Sequence, residues 1–311
     1  MFDVDSAVIR ERPPSRGDNP TSLPAGRLCC RPIRAEDLDS IVAFLHAGFP
    51  RRSPSDFRRL LITLGSRPVC DKGQQYGHML SCGSTCVGVL LTITSQTKVG
   101  VETVTRCNVA CWHVHPHYAM FGGMLLSRVL KDAPAIVLNV SPAKSTLPTI
   151  EAQGFTRLSS GLFAALPLLS YRSEVAHLVP PEAYDSGQPG FDAEMIGLLK
   201  RHTEYGCISF LIRANGRLYP FIFRRRVVRH FPVPCAQLVY AAGSQSLIAC
   251  ARLIGSLLLR RGLLWMLVAG SGPIASIPGV YFPGRSPIYV RTRLPTNPYD
   301  LADTELALFG A

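Results

Sequence analysis

The stretch Cys107–Leu130 constrains the fold of this 311-residue chain more than any other, because a strand pattern changes there to a helix pattern. Alternate positions from Asn108 to Val114 share one face of an extended segment, and Pro116 ends the strand because it has no N–H to donate. Apolar residues at helical spacing follow Gly122-Gly123, which we therefore place at the start of a helix. Free N–H groups and the helix dipole at such a start suit a phosphate or pyrophosphate.

Composition favours a folded, non-exported protein of about two domains. Apolar residues make up 47% and charged residues 17% of the chain, which excludes a disordered class. The longest apolar run, Leu247–Gly270, contains three arginines and is too interrupted to span a bilayer. The acidic N-terminus lacks a signal-peptide pattern, and ten cysteines without a regular framework indicate reduced thiols, so we expect a cytoplasmic protein without a transmembrane segment.

Positive charge is concentrated in one region. Between Tyr205 and Tyr299 the chain has twelve arginines and no Asp or Glu, against a net charge of +12 for the whole chain. Such a field attracts polyanions, such as a phosphorylated cofactor, nucleic acid, acidic glycan or lipid headgroups. The chain has only five lysines, so arginine is also simply its usual surface cation.

The pattern of elements predicts an α/β (α+β) fold in which a mixed central sheet is flanked by helices. Its order is strand, two helices, three strands, helix, strand, helix and a final pair of strands at Gly154-Phe155 and Leu162–Leu169, with a polar loop before the strand Asn108–Val114. The hydroxyl and carboxylate groups in Ser53-Pro54-Ser55-Asp56 can cap free N–H groups at the start of the second helix.

The order then repeats, with a turn at Asn215-Gly216 between two strands, which indicates an internal duplication. We expect a loose tail at 1–26, a first half at 27–177, a linker at 178–191 and a second half at 192–311.

The motif residues resemble the GNAT superfamily of acyl-CoA-dependent N-acyltransferases. Val114-x-Pro116-x-Tyr118 followed by Gly122 matches the strand and pyrophosphate loop of that family, and Glu151-x-x-Gly154-Phe155 matches its closing motif. The resemblance covers 30–170 well and the second half in outline. It implies a coenzyme A thioester, acetyl-CoA or a longer acyl-CoA, as co-substrate, and a small-molecule or glycan acceptor. The cofactor-binding residues that it implies are Val114, Tyr118, Ala119, Met120, Phe121, Gly122, Gly123 and Met124.

The sequence departs from the family pattern at three positions. Ala119 replaces Arg or Gln, Met124 replaces Gly or Ala, and Ile150 stands where many members have the tyrosine that protonates the leaving thiolate. Backbone amides do most of the cofactor binding, so we expect binding to tolerate the first two changes.

Catalysis of this kind needs a base that removes a proton from the acceptor. His113 and His115 are candidates because imidazole titrates near neutral pH, and Asn139 is a candidate for lining the acceptor or pantetheine groove. The alternative for each histidine is a polar residue at a strand end. Cys111, His113 and His115 occupy alternate positions and so lie on one face of the strand, and cysteine and histidine are ligands that suit zinc. Three residues along one strand spread over about 13 Å, however, which is too far to share one ion, so we expect no metal site.

Three functions remain open from the sequence. The first is acyl transfer from acyl-CoA to an amine or hydroxyl. The second is an aminoacyl-tRNA-dependent transferase, which two GNAT-like halves in one chain resemble, and whose polyanionic donor, tRNA, suits the arginine-rich half. The third is a catalytically degenerate protein that binds acyl-CoA or serves as a scaffold, as the changes at Ala119 and Ile150 suggest.

Overall fold

The computed structural model describes residues 26–68, 74–184, 191–228 and 231–309. The predicted loose tail therefore lies, except for Gly26, outside the described residues. The chain divides into two compact units, of which unit 1 comprises residues up to Thr92 together with Cys111–Asp132. Unit 2 comprises Ile93–Ala110 and the residues from Ala133 onward. No helix in the described ranges has the length and apolar character needed to cross a membrane.

Unit 1 consists of a small antiparallel sheet and three helices. Strand β1 pairs with β2, and β2 pairs with the first part of β3. Helix α2 begins as predicted, since Ser53 accepts the Asp56 N–H and the Asp56 carboxylate accepts the Ser53 N–H. The elements of unit 1 are β1 (Leu28–Pro32), α1 (Leu38–Gly48), α2 (Pro54–Gly65), β2 (Gly77–Cys82), the start of β3 (Thr85–Val99), the end of β4 (Glu102–Val114) and α3 (Gly122–Lys131).

Unit 2 contains the rest of β3 and β4 and the elements from Ala133 onward. The elements that lie wholly within it are β5 (Ile136–Asn139), α4 (Leu147–Ala152), β6 (Thr156–Ala165), β7 (Ala176–Val179), α5 (Ala193–Glu204), β8 (Ile208–Ala214), β9 (Arg217–Val228), β10 (Phe231–Ala241), α6 (Ser244–Leu259), β11 (Met266–Gly270), β12 (Gly279–Thr292) and α7 (Glu305–Leu308). Its strands lie in the order β3-β4-β5-β12-β6-β11-β10-β9-β8-β7.

The sheet of unit 2 is mixed and carries a core on each face. The pairs β4–β5 and β10–β11 are parallel, while β12 pairs antiparallel with both β5 and β6. Neighbouring residues of β8 alternate between the two cores: Phe210 packs in the core that contains α6, and Leu211 packs in the core that contains α5 and α7. The predicted fold class, a mixed sheet flanked by helices, is confirmed.

Strand order in unit 2 is also symmetric about the β12–β6 pair. On one side lie β12, β5 and β4, and on the other side lie β6, β11 and β10. In each set a parallel pair is followed by an antiparallel strand that comes from the other half of the sequence.

The boundaries between the two compact units fall after Thr92, Ala110 and Asp132, and not at the predicted linker, 178–191. The first residues of that predicted linker belong to β7 and to a 3₁₀ turn, Pro181–Ala183.

Two local predictions are wrong. The polar loop expected before β4 is a hairpin, because β-branched threonines and valines extend β3 to Val99 and β4 back to Glu102, with Gly100 in the turn at φ 64°. The pair of strands expected at 154–169 is the single strand β6, in which Gly161 and Ser159 continue the ladder to β12. The turn Asn215-Gly216, with φ of 48° and 72°, joins β8 to β9 as predicted.

Candidate functional site

The connection from β4 to α3 lies within unit 1. Strand β4 ends at Val114, and the His115 N–H donates to the Val87 carbonyl at 2.9 Å. A 3₁₀ turn, Pro116–Phe121, follows and leads directly into α3 at Gly122. The prediction that Gly122 and Gly123 stand at the start of a helix is confirmed.

Backbone amides of this connection are not all free. The Tyr118 N–H donates to the His115 carbonyl at 2.8 Å, and the Gly122 N–H donates to the Ala119 carbonyl. A 3₁₀ turn directs its amides back along its own axis, so fewer of them point outward than an open loop would offer. A pyrophosphate that uses the Gly122 amide would therefore have to open the last bond of this turn.

Gly122 is buried against the end of β4. A Cβ built on it would lie 3.5 Å from Val114 Cγ2 and 3.8 Å from Trp112 Nε1, which is ordinary contact. A larger side chain would meet the indole and the valine. The start of α3 therefore packs directly against the end of β4, with room for a Cβ at this position.

The turn and the start of α3 expose two methionines and contain no acidic residue. Met120 is 84% exposed and Met124 is 43% exposed, and the first turn of α3 contains no acidic residue. An anion that approaches this helix start meets no like charge from the first turn of α3. Flexible methionines also adapt to ligands of varied shape.

His113 is packed among aromatic rings. Its imidazole lies 5.0 Å from the Phe44 ring and 5.6 Å from the Phe49 ring, centroid to centroid. A Cβ at Gly48 would overlap the imidazole, so Gly48 is required for this packing. Burial lowers the pKa of His113, and the neighbouring His115 lowers it further. The side chain is therefore neutral near pH 7, the form that a base needs, but it is half-buried.

His115 lies at the surface and caps the 3₁₀ turn. Its Nδ1 accepts a hydrogen bond from the His117 N–H at 3.4 Å, and the two imidazoles stack at 5.4 Å. In this contact Nδ1 is the acceptor, and Nε2 takes no part in it. His115 is the more accessible of the two candidate bases.

Asn139 lies in unit 2 at the end of β5. It is 5% exposed and stands opposite Tyr289 of β12. The Tyr289 hydroxyl donates to Glu151 Oε1 at 2.9 Å and accepts from Arg157 Nη2 at 3.0 Å. Sequence reasoning did not find this cluster, because Tyr289 lies more than 130 residues from Glu151 and Arg157 and reaches them through the pairing of β12 with β5 and β6.

The closing motif Glu151-x-x-Gly154-Phe155 is the end of α4. Gly154 has φ 84°, and the Phe155 N–H returns to the Ile150 carbonyl at 3.1 Å, as in a Schellman ending. Ile150 is fully buried. The position at which the resemblance implies a tyrosine that protonates the leaving thiolate is therefore a core position in this chain.

The alternation of possible zinc ligands breaks at Cys111. This residue has φ 48°, which interrupts the two-residue period between Cys111, His113 and His115. Across the part of the chain that the structure describes, no group of three or more His, Cys, Asp or Glu side chains is arranged to hold a metal ion.

Several arginines of the basic region serve the fold. Arg224 donates to the carbonyls of Tyr205 and Ala307, and Arg226 donates to Gln237 Oε1 at 3.0 Å. The Arg261 guanidinium lies 4.8 Å from the Phe210 ring centroid. These three contributions to the positive charge are explained by internal contacts.

The chain shares its fold with solved N-acyltransferase structures. It aligns with a GCN5-related N-acetyltransferase from Anabaena variabilis ATCC 29413 at a TM-score of 0.55 and 11% identity, over 85% of this chain and 72% of the other. For a GCN5-related N-acetyltransferase from Kribbella flavida the values are 0.50 and 12%, over 86% and 71%. A probable N-acyltransferase from Enterococcus faecalis V583 gives 0.50 and 10%, over 89% and 74%.

Sequence comparison adds no relative. No protein-family profile matches the chain, and no curated protein matches it. At 10–12% identity the structural likeness shows the fold alone. The fold is that of the GCN5-related N-acetyltransferases, as the resemblance in the sequence predicted.

Proposed function

We propose that this protein transfers an acyl group from a coenzyme A thioester, acetyl-CoA or a longer acyl-CoA, to an amine or hydroxyl of a small-molecule or glycan acceptor. The observation that carries the proposal is the passage from β4 to α3, where Gly122 lies against Trp112 and Val114 at a helix start without acidic residues. The GCN5-related N-acetyltransferase fold of the chain supports it. The pyrophosphate would be held by amides of the segment Val114–Met124.

The reaction is direct attack of the acceptor on the thioester carbonyl. The attacking nitrogen or oxygen loses a proton, the tetrahedral intermediate collapses, and the thiolate of coenzyme A leaves. Positioning of the two substrates supplies much of the rate in such a reaction. His113, which burial keeps neutral, and the more exposed His115 are the proposed bases.

Calorimetry with acetyl-CoA and longer acyl-CoAs tests cofactor binding, and absence of binding by all of them would refute the proposal.

Met124→Glu would place a carboxylate in the first turn of α3, next to the proposed pyrophosphate position. We expect about tenfold weaker binding, because like charges repel across a short distance. Met124 is 43% exposed, and an acidic residue at a helix start favours folding.

Met124→Gln is the matched control, because it has nearly the same shape and no charge. Its affinity should stay close to that of the unmodified protein. Equal affinities of the two variants would place the pyrophosphate away from α3.

A second candidate function is acyl-CoA binding without turnover. Two observations favour it. The His113 imidazole packs against the rings of Phe44 and Phe49, and Ile150, at the position of the family's proton-donating tyrosine, is buried. Release of free thiol from acetyl-CoA in the presence of a panel of amines and amino sugars would exclude it.

We also infer that the chain consists of two repeated halves, 27–177 and 192–311, that exchange their last strands. The symmetric order about the β12–β6 pair supports this inference, since β12 joins β5 and β6 joins β11. In this arrangement β10, α6 and β11 correspond to β4, α3 and β5, and both parallel pairs are short.

A further inference from the structure

The chain returns to strand β10 after β12 ends. We call residues 293–309 the C-terminal segment. The Ala241 N–H of β10 donates to the Tyr299 carbonyl at 2.9 Å, and the Leu301 N–H donates to the Val239 carbonyl at 2.8 Å. Tyr240 and Asp300 thereby form an antiparallel bridge. All these residues belong to unit 2.

The C-terminal segment occupies the edge of β10 that β11 leaves free. The parallel pairing of β10 with β11 stops at Gln237. Beyond that point one edge of β10 still pairs with β9, through Tyr240 and Ala241. The bonds to Tyr299 and Leu301 therefore lie on the opposite edge, in the opening between β10 and β11.

Further contacts hold the C-terminal segment in place. The Asn297 amide donates to the Ala241 carbonyl at 2.7 Å and accepts the Tyr299 N–H at 3.0 Å. The Arg106 guanidinium, 5% exposed, pairs with Asp300 at 2.9 Å and also donates to the Ala302 carbonyl. Leu301 and the six residues after it are buried.

Further ion-pair and hydrogen-bond contacts anchor the end of the segment on helix α5 and on the residues that follow β5. Asp303 accepts from Arg201 at 2.9 and 3.2 Å, and its N–H donates to His202 Nε2 at 3.0 Å. The Ser141 hydroxyl, just past β5, donates to Glu305. An occupant held by so many contacts is part of the folded protein rather than a loosely bound tail.

We propose that the C-terminal segment fills the opening between β10 and β11, so that one chain takes a single acyl-CoA, in its first half. We call this opening the cofactor cleft of the second half, because β10 and α6 correspond in the repeat to β4 and α3. This inference rests on the proposed function for its ligand and on the repeat for the location of the cleft. The arm of an acyl-CoA is an extended chain with amide groups, and an extended chain binds a free strand edge through main-chain hydrogen bonds. On β10 the Val239 carbonyl and the Ala241 N–H are already used.

The first test is calorimetry of the full chain with acetyl-CoA, combined with hydrogen exchange of the peptides that contain Ala241 and Leu301. We expect one molecule bound per chain and slow exchange of both peptides, unchanged by saturating acetyl-CoA. Two molecules bound, or faster exchange of the Leu301 peptide when acetyl-CoA is added, would overturn the proposal.

The second test removes a donor from the segment. Leu301→Pro eliminates the N–H that bonds to Val239, and Leu301→Ala is the control that loses the side chain but keeps the N–H. We expect exchange of the Ala241 amide to be roughly tenfold faster in the proline variant than in the alanine variant. Equal rates would contradict the proposal. If the proline variant does not fold, Asn297→Ala serves instead, compared with the unmodified protein.

The two tests also separate the inference from the proposed function. If no acyl-CoA binds, the proposed function fails, while the exchange rates at Ala241 still decide whether the C-terminal segment fills the cleft. If one acyl-CoA binds but the Ala241 and Leu301 amides exchange rapidly without ligand, the proposed function stands and the inference fails.

Discussion

At the scale of single residues, the surroundings of His113 decide its protonation. The sequence identified it as a candidate base because imidazole titrates near neutral pH, and the structure packs it against the rings of Phe44 and Phe49. Burial disfavours the charged imidazole, so the pKa is lowered. His78, which is buried in β2, has a lowered pKa for the same reason.

These histidines make stability depend on pH. The unfolded chain takes up protons near the ordinary imidazole value of about 6.5, whereas the folded chain does so only at lower pH. The folded state is therefore not penalised by these histidines above about pH 7. Stability is lost as the pH falls from the pKa of the unfolded chain to the lower pKa of the folded chain. We expect His113→Asn to be less stable at pH 7 but to lose less stability between about pH 7.5 and 5.5 than the unmodified protein.

Urea unfolding at both pH values measures this effect. Equal slopes for His113→Asn and the unmodified protein would contradict the assignment of a lowered pKa.

At the scale of elements, the ending of α4 explains a motif that resembles a family signature. Gly154 adopts φ 84°, and Phe155, 4% exposed, follows it into the core. A glycine tolerates this conformation, whereas a residue with a Cβ is strained there. The motif is therefore explained by helix termination, whatever ligand the fold binds.

We expect Gly154→Ala to lower the free energy of unfolding by about 1–2 kcal/mol, because alanine must adopt a left-handed conformation. Gly197→Ala in α5 is the control, since no atom lies within 4 Å of its Cβ position. That change should raise stability by about 0.5–1 kcal/mol. Denaturant midpoints that move in the same direction for both variants would contradict this account.

At the scale of the whole molecule, the two halves of the sequence depend on each other within unit 2. Strand β5 of the first half pairs with β12, and β6 of the first half pairs with β11 and β12 of the second. A first half produced alone would leave the edge of β5 and both edges of β6 unpaired. Hydrogen-bonding groups and apolar side chains of these strands would then be exposed.

We therefore predict that a chain limited to 27–177 does not fold to a stable protein. Circular dichroism, thermal unfolding and light scattering should show loss of cooperative unfolding and aggregation. Coproduction with a chain of 178–311 should restore a cooperative transition. A monomeric first half that unfolds cooperatively by itself would show that strand exchange is not needed for stability.

The sequence by itself determined the local elements. The capping box at Ser53 and Asp56, the turn at Asn215-Gly216 and the helix start at Gly122 each depend on residues within about four positions of one another, and all three are confirmed. The same local patterns predicted a mixed sheet flanked by helices, and the chain shares this fold with a solved GCN5-related N-acetyltransferase.

Tertiary structure decided which distant segments meet. The pairing of β12 with β5, the ring contacts of His113 and the bridge between Tyr240 and Asp300 join residues far apart in the chain. A strand pattern predicts that a segment will pair with another strand, but it does not predict which strand, because every extended segment offers the same backbone N–H and C=O groups. For that reason the sequence located the candidate segment at 114–124, while only the folded chain shows that its C-terminal segment already covers the free edge of β10.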